Sequence, residues 1–157
     1  MGDELLINKA LQLMGRWSNR ELTDNCTGCR ICEMVCSLYH EKDGINPKRS
    51  RIRVVISREK TAILPMVCYS CIDPSCVASC PIECLSQDET GMIVVDEGAC
   101  SGCGECEEAC PFGAIHLHPV SNVAMTCDHC DGKFLCVRYC PENILDFLLP
   151  KKVRIRR

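Results

Sequence analysis

Sixteen of the seventeen cysteines fall into four groups on one plan: a C-x2-C pair, a short gap, then a C-x3-C pair. The groups are Cys26, Cys29, Cys32, Cys36; Cys68, Cys71, Cys76, Cys80; Cys100, Cys103, Cys106, Cys110; and Cys127, Cys130, Cys136, Cys140. The gap is two, four, two and five residues. Proline follows the last cysteine in three groups (Pro81, Pro111, Pro141), and Ser37 takes its place in the first. A repeat of this kind sets the architecture before any single segment does, because each copy must adopt the same local unit. Cys84 stands outside the plan, four residues after Cys80, and reads as a small buried hydrophobe that is not a ligand.

Seventeen cysteines in 157 residues is a density usual for disulfide scaffolds. Such scaffolds need export to an oxidising compartment. The start, Met1-Gly-Asp-Glu-Leu-Leu-Ile7, has no basic region, no long apolar run and no small-residue cleavage site. No stretch approaches the roughly 20 apolar residues of a membrane helix. The expectation is a cytoplasmic chain whose thiols bind metal. Zinc sites draw on separated C-x2-C pairs. Three cysteines within seven residues, then a C-P pair, is instead iron–sulfur spacing. Sixteen thiols supply four [4Fe–4S] clusters with none missing. Gly28, Ser101, Gly102 and Gly104 let the backbone approach such a cube closely.

The 46% hydrophobic fraction includes the cysteines. Without them about 35% remains, a thin supply for a core at this length. Only seven residues are aromatic. Folding is therefore expected to depend on bound metal. The net charge of −3, made more negative by thiolate-bound clusters, excludes nucleic acid as a general partner. There is no Walker loop, no GxGxxG and no nucleophile–base constellation, so no catalytic residue is expected. Of His40, His116, His118 and His129, none shows ligand spacing, and only His129 lies inside a cysteine group.

Residues 3–16 read as an amphipathic helix, with Leu6, Ala10, Leu13 and Met14 on one stripe. The first cysteine group should run into a short helix through about Tyr39. Arg51–Ile56 reads as a strand whose basic alternation leaves one side solvated or facing a partner, and Ala62–Val67 as its return. Asp88–Gly91 is a turn before a strand at Met92–Val95. Short strands are also expected over Ala114–Leu117 and Ile144–Leu149, before the basic tail Lys151–Arg157.

The four groups, with wider gaps in the second and fourth, resemble the four-cluster electron-transfer subunits of the dimethyl sulfoxide reductase and formate hydrogenlyase type. The resemblance implies an α+β fold of two ferredoxin-like dicluster halves with short strand pairs, plus the extra N-terminal helix. It implies an outer half of residues 25–50 with 120–149, and an inner half of residues 51–119. Residues 1–24 would form a docking helix and 150–157 a basic tail. One outer cluster would take Cys26, Cys29, Cys32 and Cys140, and its mate Cys127, Cys130, Cys136 and Cys36. The inner pair would take Cys68, Cys71, Cys76 with Cys110, and Cys100, Cys103, Cys106 with Cys80.

The segments Cys26–Glu41 and Asn46–Val54 are also similar to small ferredoxin subunits of tungsten-containing aldehyde oxidoreductases, and to those of tungsten-dependent benzoyl-coenzyme A reductases. That similarity implies single-electron relay beside a tungsten-pterin catalytic subunit, with a flavin subunit that reduces NAD, or ferredoxin, as the other partner. A benzoyl-coenzyme A reductase, formate dehydrogenase or hydrogenase is an alternative setting for the same relay. A sensor or biogenesis protein with structural clusters is an alternative of another class. The basic tail on an acidic body also suggests that copies could self-associate into a longer relay.

Overall fold

A computed structural model describes residues 25–41, 43–57 and 62–145. The helix expected at 3–16, the end of the strand expected at 144–149 and the tail at 150–157 lie outside these residues. The chain is an α+β ferredoxin-like dicluster fold of four short helices and three antiparallel strand pairs among the described residues. Helix α1 is Ile31–His40, followed by a single 3-10 turn at Pro47–Arg49. Strands β1 (Ile52–Ser57) and β2 (Ala62–Val67) pair next, then comes α2 (Ser75–Ala78). Strands β3 (Leu85–Gln87) and β4 (Ile93–Val95) pair, and α3 (Glu105–Ala109) follows. Strands β5 (His116–Leu117) and β6 (Ala124–Met125) precede α4 (Leu135–Arg138). No helix among the described residues is long and apolar enough to cross a membrane.

The sequence repeat is also a backbone repeat. The residue before the second cysteine of each group, Gly28, Ser70, Gly102 or His129, has φ of 69, 48, 70 or 56°. This left-handed position turns the chain sharply between the first two thiols, which is why glycine occupies it twice. After each C-P pair the chain closes a turn onto the cysteine carbonyl, from Glu83 N (3.3 Å), Gly113 N (3.2 Å) and Asn143 N (3.4 Å). Proline's fixed φ suits the second position of such a turn. The first group differs for a physical reason. Ser37 lies inside α1, where proline would remove a helical N–H and clash with the preceding turn. Ser37 Oγ instead donates to Met34 O (3.0 Å) and accepts from Asn46 N (3.2 Å), tying the following loop to the helix.

Helix α1 packs on α4, and α2 packs on α3, so groups one and four share one body and groups two and three the other. The β1–β2 hairpin lies between them and is covered on both faces. Ile52, Val54 and Val67 join a core with Cys32, Cys36, Phe134, Val137 and Leu145. On the opposite face Leu64 and Met66, 1% and 3% exposed, pack with Val55 and Phe112. Arg53 pairs with Met66 across the hairpin and is only half-buried, so the basic side of β1 is shared with apolar packing rather than freely solvated. Every strand of a two-stranded sheet is an edge, which accommodates Pro65 opposite Val54.

Two expectations needed adjustment. The strand placed over 114–117 is confined to His116–Leu117, because Ala114 and Ile115 turn inward as core, 4% and 3% exposed. The strand Leu85–Gln87 has no sequence counterpart; it pairs with the 93–95 strand through the Asp88–Gly91 turn. That turn is held by Asp88 Oδ1, which accepts from Thr90 N (2.8 Å) and Met92 N (2.9 Å).

Glu33 is 2% exposed within α1, and its Oε1 accepts Val54 N at 2.6 Å, fastening the helix to β1. Arg30 Nη1 supports the same carboxylate at 3.4 Å. Glu33→Ala would strand a buried backbone donor. The expected loss is about 1–3 kcal/mol, read as a lower denaturation midpoint of the anaerobic protein.

Candidate metal centres

All seventeen thiols are free, and many of them gather with thiols of other groups. Cys26, Cys29, Cys32 and Cys140 line one cavity, walled by Ile31, Val54, Pro65 and Leu145. Cys68, Cys71, Cys76 and Cys110 line a second, walled by Tyr69, Ile93, Phe112 and Ile115. A third gathering is the most buried. The Cys136 thiol is pushed up by burial and then by the neighbouring Cys127, Cys36 and Cys130. In the fourth, burial and the Cys100 and Cys103 thiols push Cys106 up to about 11. Cys80 joins this fourth set across Cys84, whose thiol is pushed up to about 12 by burial, then by contacts with Cys80 and Cys100.

The sets are also neighbours of one another. Cys127 senses both Cys36 of its own set and Cys68 of the second. Cys136 senses Cys32 of the first. The third gathering is thus a neighbour of both the first and the second. The second and fourth adjoin each other through these helices: α2 contains Cys76 and is followed by Cys80, and α3 contains Cys106 and ends at Cys110, its C-cap.

Where burial pushes a thiol up, as at Cys32, Cys127 and Cys136, a free thiolate is disfavoured and a cationic iron core beside it would offset the cost. Backbone N–H groups point at several of the sulfurs: Arg51 N to Cys36 Sγ (3.3 Å), Ala114 N to Cys110 Sγ (3.4 Å) and Ala124 N to Cys100 Sγ (3.5 Å). Such donors stabilise metal-bound thiolates and tune their clusters. Gly102 is obligatory at its turn, since its φ is +70° and a Cβ there would lie 2.3 Å from Asn122 O. The residues present fit iron–sulfur clusters.

Cys84 is 6% exposed, with its sulfur 3.4 Å from Cys80 Sγ, beside a ligand set rather than in an unrelated core. His129, inside the fourth sequence group, serves the left-handed turn described above and stacks on Phe134 at 4.9 Å. His116 is a neutral bridge between the two bodies. Its Nε2 is 2.9 Å from Ser50 O, and burial pushes its pKa down to about 4. His40 is the imidazole that reaches a thiol set. Its ligating atoms, those of Asp128 and Cys130 Sγ lie within 4.8 Å of one another. No sequence signal joins them, because 88 residues separate His40 from Asp128.

Several known proteins are similar to this chain. A polyferredoxin-like subunit of an aliphatic sulfonate oxidoreductase from Pyrococcus furiosus is 42% identical over 76% of this chain and 68% of its own length. A subunit of the anaerobic dimethyl sulfoxide reductase from Escherichia coli K12 is 32% identical over 80% of this chain and 69% of its own length. A component of the solved active-site complex of benzoyl-coenzyme A reductase is 28% identical, covering 78% of this chain and 73% of that one, at a TM-score of 0.44. Residues 59–148 match the family described as the 4Fe–4S dicluster domain. With its thiols gathered in the manner such clusters require, the chain belongs to the 4Fe–4S dicluster domain family.

Proposed function

We propose that this chain is a non-catalytic electron-transfer subunit. It would relay single electrons through four [4Fe–4S] clusters between a tungsten-pterin subunit that oxidises aldehydes and a flavin subunit that reduces NAD, or ferredoxin. The observation that carries the reading is that two cavities each gather three cysteines of one group and one remote cysteine, Cys140 in the first and Cys110 in the second; the proposed path runs through the sets in the order first, third, second, fourth. Each cluster, when bound, takes up and passes on one electron. The chain's own part is to hold the four sets in sequence, exclude water from them and donate N–H to their sulfurs.

The proposed ligands are Cys26, Cys29, Cys32 and Cys140; Cys127, Cys130, Cys136 and Cys36; Cys68, Cys71, Cys76 and Cys110; and Cys100, Cys103, Cys106 and Cys80. The outer half would also include the hairpin at 52–67, whose Ile52, Val54 and Val67 pack with groups one and four. The tungsten partner is supported by the Cys26–Glu41 and Asn46–Val54 resemblance. The two ends differ in chemistry, because no Lys or Arg occurs between Lys60 and Lys133. That difference supports unlike partners at the two ends of the relay.

The test is purification without oxygen under native conditions, with metal and flavin analysis of whatever accompanies the chain. About sixteen irons per chain, a tungsten-containing larger subunit and a flavin subunit are expected. Molybdenum in place of tungsten would move the chain to another catalytic partner. Four zincs, or about half the iron, would overturn the four-cluster relay.

A further inference from the structure

We propose that Arg51, Asp128 and His40 set the reduction potential of the cluster held by Cys36, Cys127, Cys130 and Cys136. This rests on the ligand sets proposed above. Arg51 touches that set once directly and once through Asp128. Its backbone N–H donates to Cys36 Sγ at 3.3 Å, and its guanidinium is paired with Asp128. Asp128 Oδ1 in turn accepts Cys130 N at 2.9 Å. His40 Nε2 stands 3.4 Å from Asp128 Oδ1, and the ring also lies against the Cys36 and Cys130 thiols. One cation, one anion and one imidazole therefore meet two ligands of a single cluster, Cys36 and Cys130.

Among the described residues the surroundings of the other sets differ. The second and fourth draw on residues 68–110, a stretch with no Lys or Arg. Arg30 lines the first cavity, but its guanidinium is turned to Glu33 and to Val54 O. The third set is thus distinguished by fixed charge. Reduction adds negative charge to the cluster, so a nearby cation favours the reduced form and a nearby anion opposes it. Charge here is also poorly screened, since the side chain of His40 is 11% and that of Arg51 22% exposed.

The three residues that could together hold a metal ion, His40, Asp128 and Cys130, do not form a separate site, because Cys130 belongs to the cluster set. They act as positioning and charge-setting neighbours. A purely structural role, bracing the loop at 127–131, would predict no ordered change in potential. The sign of the change separates the two roles. A cleft of about 360 Å³ lined by His40, Arg51 and Asp128 borders the network, so isosteric changes there disturb no packed core.

The experiment is a redox titration of the intact chain, purified without oxygen and followed by electron paramagnetic resonance. In Arg51→Gln, one cluster should become harder to reduce, by at least tenfold in the ratio of reduced to oxidised cluster at a fixed ambient potential, or 59 mV for one electron. Asp128→Asn keeps an oxygen for Cys130 N–H and should make the same cluster easier to reduce. Arg51→Lys should restore the wild-type behaviour. The other three clusters should shift less than this one.

Shifts of the same sign in Arg51→Gln and Asp128→Asn, or no shift in either, would overturn the proposal. If Arg51→Gln loses the cluster, Asp128→Asn alone decides: a shift toward easier reduction supports the proposal, and any other result overturns it. Failure of the four-cluster reading itself would appear earlier, as an iron content in the wild-type chain well short of about sixteen.

Discussion

Cys110→Ala should destroy or degrade the cluster of a distant sequence group and spare its own. Cys110 ends the group that begins at Cys100, yet it lines the cavity of Cys68, Cys71 and Cys76. The local cause is the end of α3 at Ala109. Cys110 leaves the helix in an extended conformation, with φ −72° and ψ 115°, while Cys106 stays with Cys100 and Cys103. The variant should therefore lose about four of about sixteen irons, or retain a three-iron remnant with one iron missing. Its paramagnetic spectrum should lack the same component as Cys71→Ala and keep the component missing from Cys103→Ala. If Cys110→Ala instead matched Cys103→Ala, the crossed ligand sets would be wrong.

Removing the iron should unfold the chain. Among the described residues the buried apolar side chains form three small clusters, and the two larger ones contain cysteines as members. Few large apolar side chains are fully buried: Ile52, Leu64 and Leu145 lead, and Glu33 is among the same group. Without iron, each thiol set leaves several polarisable groups facing a cavity with nothing to bind them. Burial holds Cys32 and Cys127 thiols up to about 12, so ionising them in place is unfavourable. Metal binding is then folding energy, as in small metal-dependent domains. Anaerobic chelation should abolish the far-ultraviolet circular dichroism of the folded chain in step with the visible cluster absorbance. Iron and sulfide under reducing conditions should restore both. A chain that kept its dichroism and its protease resistance after complete iron loss would show that the protein core is sufficient alone.

Much of the local structure was legible because its causes are local. The β-branched run at 52–56 and the return at 62–67 pair in the expected place. Helix α1 ends at His40, one residue beyond the expected Tyr39. The turn at Asp88–Gly91 follows from an aspartate whose carboxylate captures the next amides. What escaped was set by partners. Leu85–Gln87 has no β-branched residue and becomes a strand only because Ile93–Val95 lies opposite. Ala124–Met125 is a strand only because it pairs with His116–Leu117. The hairpin's second face looked solvated or partner-facing because Arg51 and Arg53 alternate with apolar residues, and Phe112, from a remote loop, packs on it.

The site divides along the same line. By itself the sequence determined that the chain has four thiol groups of iron–sulfur spacing, and where each tight turn must fall. Those properties depend on a few bonds of backbone, so Gly28 and Gly102 disclose them directly. The tertiary structure decided which remote cysteine faces each group, through the packing of α1 on α4 and α2 on α3. It also decided the charge around each set. Arg51 and Asp128 are 77 residues apart and His40 belongs to a third segment, so their meeting at Cys36 and Cys130 exists only after the two bodies have closed on the hairpin. Ligand type is a property of short spacing, and the surroundings that tune a ligand are a property of packing.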